Sequence, residues 1–228
     1  MRILAISDIH SYVDLLRTVF EKEPGIEVVV FSGDIAPYQA PFKTLDLIKR
    51  AIDIAKMYKV ELLIAVPGNI DIADHYDKIV DSVFVNLHKK FIEYREYIFM
   101  GLGGSNKTPF RSPFELQDED IEKILMNIYN SLKNVRNPSK LVLVTHVPPY
   151  GTNCDRIYTG ENVGSIALRK FIEIVRPLAI FCGHVHESRC VDKINETIVI
   201  NPGPLSKGFY TIVDIDSSGI KVHPKSIK

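Results

Sequence analysis

Short apolar runs alternate with amphipathic stretches along most of the chain, and each pattern predicts a different element. The apolar runs at residues 3–6, 26–31, 62–66, 141–144 and 178–182 have the length and composition of buried strands. Apolar residues at three- and four-residue spacing predict helices at 13–20, 41–58, 72–80, from 118 onward and at 166–175. Residues 82–97 and the tail segments 197–200, 209–215 and 220–223 favour short strands.

Helices between strands imply parallel pairing through right-handed crossovers, whereas the consecutive strands of the tail imply antiparallel additions. The pattern therefore predicts an α/β fold with mixed sheets, in one domain over residues 1–228. Two long loops rich in glycine and proline, at 101–113 and 148–164, interrupt it. Structureless loops of this length inside a compact domain are usually functional or mobile.

Composition restricts the classes of partner. Hydrophobic residues make up 46% of the chain, enough for a full core, and 28 Lys and Arg balance 28 Asp and Glu. Such a chain has no broad basic surface for a polyanion, so nucleic acid is disfavoured as a partner, whereas a small phosphorylated substrate is compatible with it. The sequence leaves open whether the chain forms a homo-oligomer.

The cysteines and the apolar runs predict a cytoplasmic protein. Cys154, Cys182 and Cys190 cannot all pair with one another and form no Cys-x-x-Cys motif, which favours three reduced thiols, with Cys154 inert and Cys182 in the core. The chain enters a strand pattern at once, without a leader, and its longest apolar runs are far shorter than the ~18 residues of a membrane span.

Polar residues follow each of the five buried runs, at the point where the strand ends. Taken singly, these residues have ordinary explanations as helix caps, turns or core histidines. Because carboxyl ends of parallel strands meet at one edge of a sheet, we expect them in one crevice. They are Asp8 and His10, Asp34, Asn69, His146, and His184 and His186.

Imidazole and carboxylate ligands without a thiolate suit Mn, Fe, Co, Ni or Zn ions. Seven such side chains exceed the needs of one ion that keeps an open position, and they suit two divalent ions bridged by a carboxylate. Bound cations would also supply the positive charge that the chain as a whole lacks.

These motifs, in this order, resemble the calcineurin-like metallophosphoesterase superfamily. The segments 147–152, 160–165 and 201–204 make the chain similar to its small prokaryotic, Icc-related phosphoesterases. The resemblance implies a four-layer fold in which two mixed β-sheets pack face to face with helices outside. It also implies hydrolysis of phosphodiesters or small phosphorylated compounds through attack of a metal-bridging hydroxide.

The resemblance assigns ligands residue by residue. Asp8, His10 and His186 would hold one metal ion, Asn69, His146 and His184 the other, and Asp34 would bridge them. Asp34, Asn69 and His146 are thereby expected at the catalytic centre, and Asn201 is expected to steady the backbone near it.

The chain departs from the family pattern at Ile70, where many members have a histidine that protonates the leaving group. A missing general acid costs about 10²–10⁴ in rate, and the loss matters least for good leaving groups, so the departure favours a phosphodiesterase. We expect the neighbouring Asp71 to brace a turn or a ligand histidine. His75 could replace the donor, although a surface position is the simpler interpretation.

Arg111, Tyr150 and Asp155, in the two long loops, are the expected substrate contacts. An alternative function is a non-catalytic metal-binding scaffold on the same fold, which the absence of the donor histidine favours and the survival of all four ligand histidines disfavours. A DNA-processing nuclease is a further alternative, weakened by the lack of a basic stripe.

Overall fold

The strands form two mixed sheets of six. The computed structural model describes residues 1–132, 140–217 and 219–228. The first sheet has the order β12-β11-β1-β2-β3-β4 and the second β5-β6-β7-β8-β10-β9. The described elements are β1 (Arg2–Ile6), α1 (Leu15–Lys22), β2 (Val28–Phe31), α2 (Thr44–Met57), β3 (Leu62–Ala65), α3 (Ala73–Asp77), β4 (Phe84–Asn86), β5 (Lys90–Tyr94), β6 (Tyr97–Leu102), α4 (Asp118–Ser131), β7 (Leu141–Thr145), α5 (Ile166–Val175), β8 (Ala179–Phe181), β9 (Cys190–Ile194), β10 (Thr197–Asn201), β11 (Phe209–Asp216) and β12 (Gly219–Ser226).

Parallel strands form the centre of each sheet, and antiparallel strands extend it. In the first sheet β1 to β4 are parallel, and β11 adds antiparallel to β1. In the second sheet β6, β7, β8 and β10 are parallel, and β5 and β9 are antiparallel additions. The carboxyl ends of the parallel strands therefore define one functional edge in each sheet.

Alternation of side chains along the central strands produces the layers. In β1 and β2, Ile3 and Val30 face the opposite sheet, where they join Val144 in one buried core. Their sequence neighbours Leu4 and Phe31 face α1 and α2 in a second core. A third core joins the outer face of the second sheet to α4 and α5. The predicted fold class, two face-to-face mixed sheets with helices outside, is confirmed.

Helix boundaries follow local chemistry. The helix α5 begins after Ser165, whose hydroxyl accepts the Leu168 N–H at 3.0 Å, and it ends where Arg176 turns left-handed (φ 53°) ahead of Pro177. These are the predicted bounds. The predicted helix at 41–58 divides into a short 3₁₀ turn beginning at Pro41 and α2.

Two strands differ from the sequence expectation. Residues 101–113 are predicted as loop, but β6 continues to Leu102 and is buried at every position. Gly101 lies inside this strand because a Cβ there would come within 2.8 Å of Leu87. A fully buried strand does not alternate between polar and apolar residues, so its glycine makes the sequence resemble a loop. The strand β9 is the second difference, since the sequence pattern does not separate it from its surroundings.

The expectation of three reduced cysteines is wrong for two of them. Cys154 and Cys190 form a disulfide, with Cα atoms 5.3 Å apart. Their 36-residue separation in sequence hides this proximity, which arises because the turn after β7 packs on β9. Cys182 is a free, buried thiol in the core, as predicted. Within the described residues, no helix combines the length and apolar character needed to cross a bilayer.

Candidate metal centre

The predicted polar residues meet where the functional edges of the two sheets adjoin. The ends of β1, β2 and β3 supply one half of the group, and the ends of β7 and β8 supply the other. The crevice therefore lies between two sheets, and the core between them determines how far apart its halves are. We call this group the polar cluster: Asp8, His10, Asp34, Asn69, His146, His184 and His186.

Tight backbone turns aim these side chains inward. Asp8, His10, Asp34 and His184 all have positive φ, at 53°, 44°, 61° and 68°. Such conformations cost about 1–3 kcal/mol each outside glycine and are retained where surrounding structure enforces them. Gly68 permits a close approach of the two turns, because a Cβ there would collide with the Asp34 carboxylate.

Asp8, His10 and His186 form one half of the polar cluster. The Asp8 Oδ1 lies 3.2 Å from the His186 Nε2, and the Nε2 atoms of His10 and His186 are 3.2 Å apart. Ligand atoms of all three residues lie within 4.8 Å of one another. The His10 Nδ1–H donates to the Ala36 carbonyl at 3.1 Å, which leaves Nε2 facing the crevice.

Asn69, His146 and His184 form the other half. The Asn69 Oδ1 lies 2.8 Å from the His146 Nε2 and 2.9 Å from the His184 Nδ1. The His146 Nδ1–H donates to the Ser32 carbonyl at 2.6 Å, so its Nε2 is the inward atom. The Asp34 Oδ2 is 3.5 Å from that Nε2, and Asp8, Asp34 and His146 also offer ligand atoms within 4.8 Å of one another.

The chemistry of these atoms fits a cation. A neutral imidazole whose Nδ1 donates to a carbonyl presents a lone pair at Nε2. In His146 that lone pair faces an amide oxygen, and the Asp34 carboxylate, another acceptor, lies close by. Such converging acceptors repel one another unless a proton or a cation lies between them, and a divalent ion can serve several of them at once. The Asp and His groups could therefore hold metal.

The pKa shifts within the polar cluster indicate the same need for positive charge. Burial acts to lower the pKa of His146, but the charges of Asp34 and Asp8 outweigh it and raise this pKa to about 9. Burial and the nearby His146 charge lower the pKa of His184 to about 4. Burial alone would raise the pKa values of Asp8 and Asp34, but His186 and His146 respectively keep both below the ordinary value. Both carboxylates are thus ionised in a buried site.

Asp71 braces the turns beneath the polar cluster rather than a histidine. It is buried, and its oxygens accept five hydrogen bonds, four from backbone N–H groups of the turns after β2 and β3 and one from a phenol. The Oδ2 accepts from Asp34 N (2.9 Å), Ile35 N (3.3 Å), Gly68 N (2.9 Å) and Tyr76 Oη (2.7 Å), and the Oδ1 from Ala36 N (3.0 Å). The turn-bracing half of the expectation is confirmed.

Asn201 and Ile70 lie where the sequence analysis expects them. The Asn201 amide donates to the Val185 carbonyl at 3.1 Å and steadies the segment that carries His184 and His186. Ile70 lines the crevice beside Asn69, so an apolar side chain occupies the position after the Gly-Asn motif. His75 is not among the described residues that line the crevice, and its partly buried ring offers no substitute donor there.

Two cavities adjoin the polar cluster. The first cavity, about 720 Å³, is lined by five of the seven cluster residues, all except Asp8 and His146, and is bordered by Tyr12 and Tyr38. The second cavity, about 700 Å³, lies on the other side of His184 and is bordered by Tyr150 and Tyr158. Both volumes fall in the range of small-molecule sites.

The expected substrate contacts have different outcomes. Tyr150 lines the second cavity. Asp155 is fully buried and accepts bonds from Gly151 N, Thr152 N and Gly164 N, so it braces the loop and does not face a substrate, which corrects the expectation. Arg111 is exposed at a loop tip and lines neither cavity.

Sequence reasoning misses Glu187, Phe110 and Tyr38. Glu187 and Phe110 line both cavities, and Tyr38 lines the first. Glu187 directly follows His186, an expected metal ligand, and this position in the sequence could have indicated that it lies near the site. No periodicity marks Phe110 or Tyr38, because both lie in irregular loops whose path depends on tertiary contacts.

Comparison with known proteins assigns the chain to a protein family. A sequence profile described as calcineurin-like phosphoesterase matches residues 1–188, a range that contains the whole polar cluster. The uncharacterized protein MJ1162 of Methanocaldococcus jannaschii is 37% identical to this chain over 214 residues, covering 92% of this chain and 91% of that protein.

Solved structures share the fold at low identity. The crystal structure of TT1561 of Thermus thermophilus has a TM-score of 0.75 at 16% identity, covering 100% of this chain and 99% of that chain. The purple acid phosphatase PPD1 from yellow lupin seeds has a TM-score of 0.62 at 15% identity, covering 100% of this chain and 51% of that chain. At these identities the likeness establishes the architecture alone.

Proposed function

Because the chain belongs to the calcineurin-like phosphoesterase family, we propose that it is a metal-dependent phosphoester hydrolase that uses two divalent ions and prefers phosphodiesters. The observation that carries this proposal is the convergence of the seven side chains of the polar cluster, from five strand ends, in one crevice.

The distances support two adjacent ion sites. Asp8, His10 and His186 would hold the first ion, and Asn69, His146 and His184 would hold the second. Asp34 would bridge the two ions, since its Oδ2 lies 3.5 Å from the His146 Nε2 and its carboxylate also lies within 4.8 Å of a ligand atom of Asp8. The imidazole and carboxylate donors suit Mn, Fe, Co, Ni or Zn.

Two divalent ions bound there would act as Lewis acids, lowering the pKa of water and neutralising charge on a phosphate. The chain's own contribution is orientation. The Ala36 and Ser32 carbonyls hold the Nδ1–H groups of His10 and His146, so each ring presents Nε2 inward. Asp71 holds the backbone of Asp34 and Gly68 in register. Such supporting contacts are typically worth about 10–100-fold in metal affinity or activity.

The preference for diesters rests on Ile70. An isoleucine cannot protonate a leaving alkoxide, and this side chain lines the first cavity beside Asn69. Leaving groups that are already stable as anions depend least on a general acid. We therefore propose aryl-type or similarly activated diesters as better substrates than alkyl monoesters.

The test is hydrolysis of bis-p-nitrophenyl phosphate and p-nitrophenyl phosphate by metal-stripped protein reconstituted with Mn²⁺. Asp34→Asn should abolish turnover, whereas Asp53→Asn, which changes an exposed carboxylate on α2, should match the wild type. Turnover of the aryl diester should exceed that of an alkyl monoester, methyl phosphate, measured by phosphate release.

Metal uptake without turnover would contradict the proposal and favour the non-catalytic metal-binding scaffold. Inductively coupled plasma measurement of bound metal, made on the same samples, separates these two results. Turnover that persists unchanged in Asp34→Asn would show that the polar cluster is not the catalytic site.

A further inference from the structure

Exposed aromatic side chains are concentrated around the polar cluster. Within the described residues six aromatic side chains are strongly exposed, and five of them line the two cavities. Tyr12, Tyr38, Phe110, Tyr150 and Tyr158 are the five, and Phe42 is the sixth. Because large aromatic groups exposed together mark binding surfaces, this distribution points to ligand groups with flat apolar faces.

The two cavities meet at the reacting centre. His184, Phe110 and Glu187 line both cavities. The first cavity is also lined by His10, Asp34, Asn69 and His186 and extends to Tyr38, whereas the second extends from His184 to Tyr158. A phosphate at the polar cluster would therefore have space for one substituent on each side.

The charge of the lining disfavours additional phosphates on these substituents. Among the described residues, no lysine or arginine borders the first cavity, and Lys107 is the single cation bordering the second. The Glu187 carboxylate lies at the junction of both. A second anionic group in either cavity would face a carboxylate with little cationic compensation, which disfavours polyphosphates and terminal phosphates.

We propose that the substrate is a phosphodiester monoanion that carries an uncharged, ring-bearing group on each of its two ester oxygens. Each group is an aryl group or a nucleoside, and one group lies in each cavity. This inference rests on the proposed function and specifies its substrate class. Water gives up a proton to solvent as its oxygen adds to phosphorus, one P–O ester bond breaks, and the leaving oxygen takes up a proton from solvent. The products are a phosphomonoester and a phenol or alcohol.

The experiment compares bis-p-nitrophenyl phosphate with methyl p-nitrophenyl phosphate, which share a leaving group and differ in the second substituent. Wild-type kcat/KM should be about tenfold higher for the diaryl ester, in line with the energy of one aromatic contact. Tyr38→Ala and Tyr158→Ala remove one cavity wall each. Replacing the tyrosine that lies beside the group remaining on phosphorus should lower kcat/KM for the diaryl ester alone. Replacing the tyrosine beside the leaving p-nitrophenyl group should lower kcat/KM for both esters.

Phe42→Ala is the matched control, since the exposure of Phe42 lies between those of Tyr38 and Tyr158 but it lines neither cavity. Its rates should equal those of the wild type. A wild-type preference below about twofold, with both tyrosine variants behaving like Phe42→Ala, would overturn the inference while metal-dependent diester turnover left the proposed function standing.

Calorimetric binding of diphenyl phosphate and dimethyl phosphate gives a readout without turnover. Diphenyl phosphate should bind the Mn²⁺-loaded protein about tenfold more tightly, and each tyrosine variant should weaken it severalfold. Equal affinity for the two phosphates would refute the two-cavity assignment. A dinucleoside monophosphate, tested against its nucleotide methyl ester, distinguishes nucleosides from simple aryl groups as the natural substituents.

Discussion

Replacing Asp71 by asparagine should destabilise the protein and weaken its metal binding, although Asp71 is not a predicted ligand. The side chain keeps its shape but loses its charge and one of its two acceptor oxygens. In the native protein those oxygens accept four hydrogen bonds from the turns that carry Asp34 and Gly68 and a fifth from the Tyr76 phenol.

The magnitude follows from counting acceptors. The amide oxygen can replace Oδ2, which has four donors, but the NH₂ group then faces the Ala36 N–H. A buried donor without an acceptor costs about 1–3 kcal/mol, and the remaining bonds lose charge assistance, roughly half their strength. Burial and the Asp34 charge raise the pKa of Asp71, so losing the carboxylate also relieves unfavourable desolvation and repulsion. We expect a net loss of about 2–3 kcal/mol.

Urea unfolding of metal-stripped protein, followed by far-UV circular dichroism, measures this loss. With a slope of about 2–3 kcal/mol per molar for a chain of this size, the midpoint should fall by about 1 M. Asp74→Asn, which changes an exposed carboxylate nearby, is the control and should stay within about 0.5 kcal/mol of the wild type. Mn²⁺ affinity of Asp71→Asn should fall about tenfold. Coincident unfolding curves for the two variants, with equal metal affinity, would refute the reasoning.

Three further predictions follow from individual contacts. Ile70→His, which places an acid in the first cavity, should raise turnover of alkyl monoesters relative to diesters by about 10–100-fold, and an unchanged ratio would show that leaving-group protonation is not limiting. Burial, then the Lys89 charge, lowers the pKa of His88 to about 4. Stability should therefore be full above about pH 6.5 and fall by about 2–3 kcal/mol as the pH drops toward about 4. His88→Asn, which keeps an acceptor for Gly103 N–H, should flatten this slope relative to the wild type and to the exposed His223→Asn. Reducing the Cys154–Cys190 disulfide, whose cysteines lie 36 residues apart, should lower the unfolding free energy by about 3–4 kcal/mol, and the Cys154→Ser protein should show no response to reductant.

The parts of the fold that the sequence predicts are those determined by local pattern. The helix α5 has its capping serine, its apolar face and its terminating proline close together in the chain, so its bounds match the prediction. The five runs before the polar cluster are parallel strands buried on both faces, and these are continuous apolar runs.

The parts that escape prediction depend on distant contacts. Gly101 resembles a loop residue until Leu87 packs against it. Cys154 and Cys190 resemble unpaired thiols until the turn after β7 meets β9. Asp155 has the polarity of a substrate contact, but its backbone partners lie on both sides of it in the chain and enclose it. The aromatic lining of the cavities likewise depends on loop paths that no periodicity encodes.

The division of the polar cluster between two sheets also explains why the pKa values of two neighbouring histidines shift in opposite directions. His146 and His184 have ring centroids 5.1 Å apart, yet the pKa of the first is raised to about 9 and that of the second lowered to about 4. His146 faces Asp34 across the junction of the sheets, and a proton there is stabilised by that carboxylate and disfavours a second proton on His184. Each of the two ionised carboxylates in the buried crevice thus raises the pKa of one imidazole beside it, Asp8 that of His186 and Asp34 that of His146. Divalent ions bound there would supply positive charge to both carboxylates without placing a proton between the two halves, so this arrangement of strand ends could hold metal.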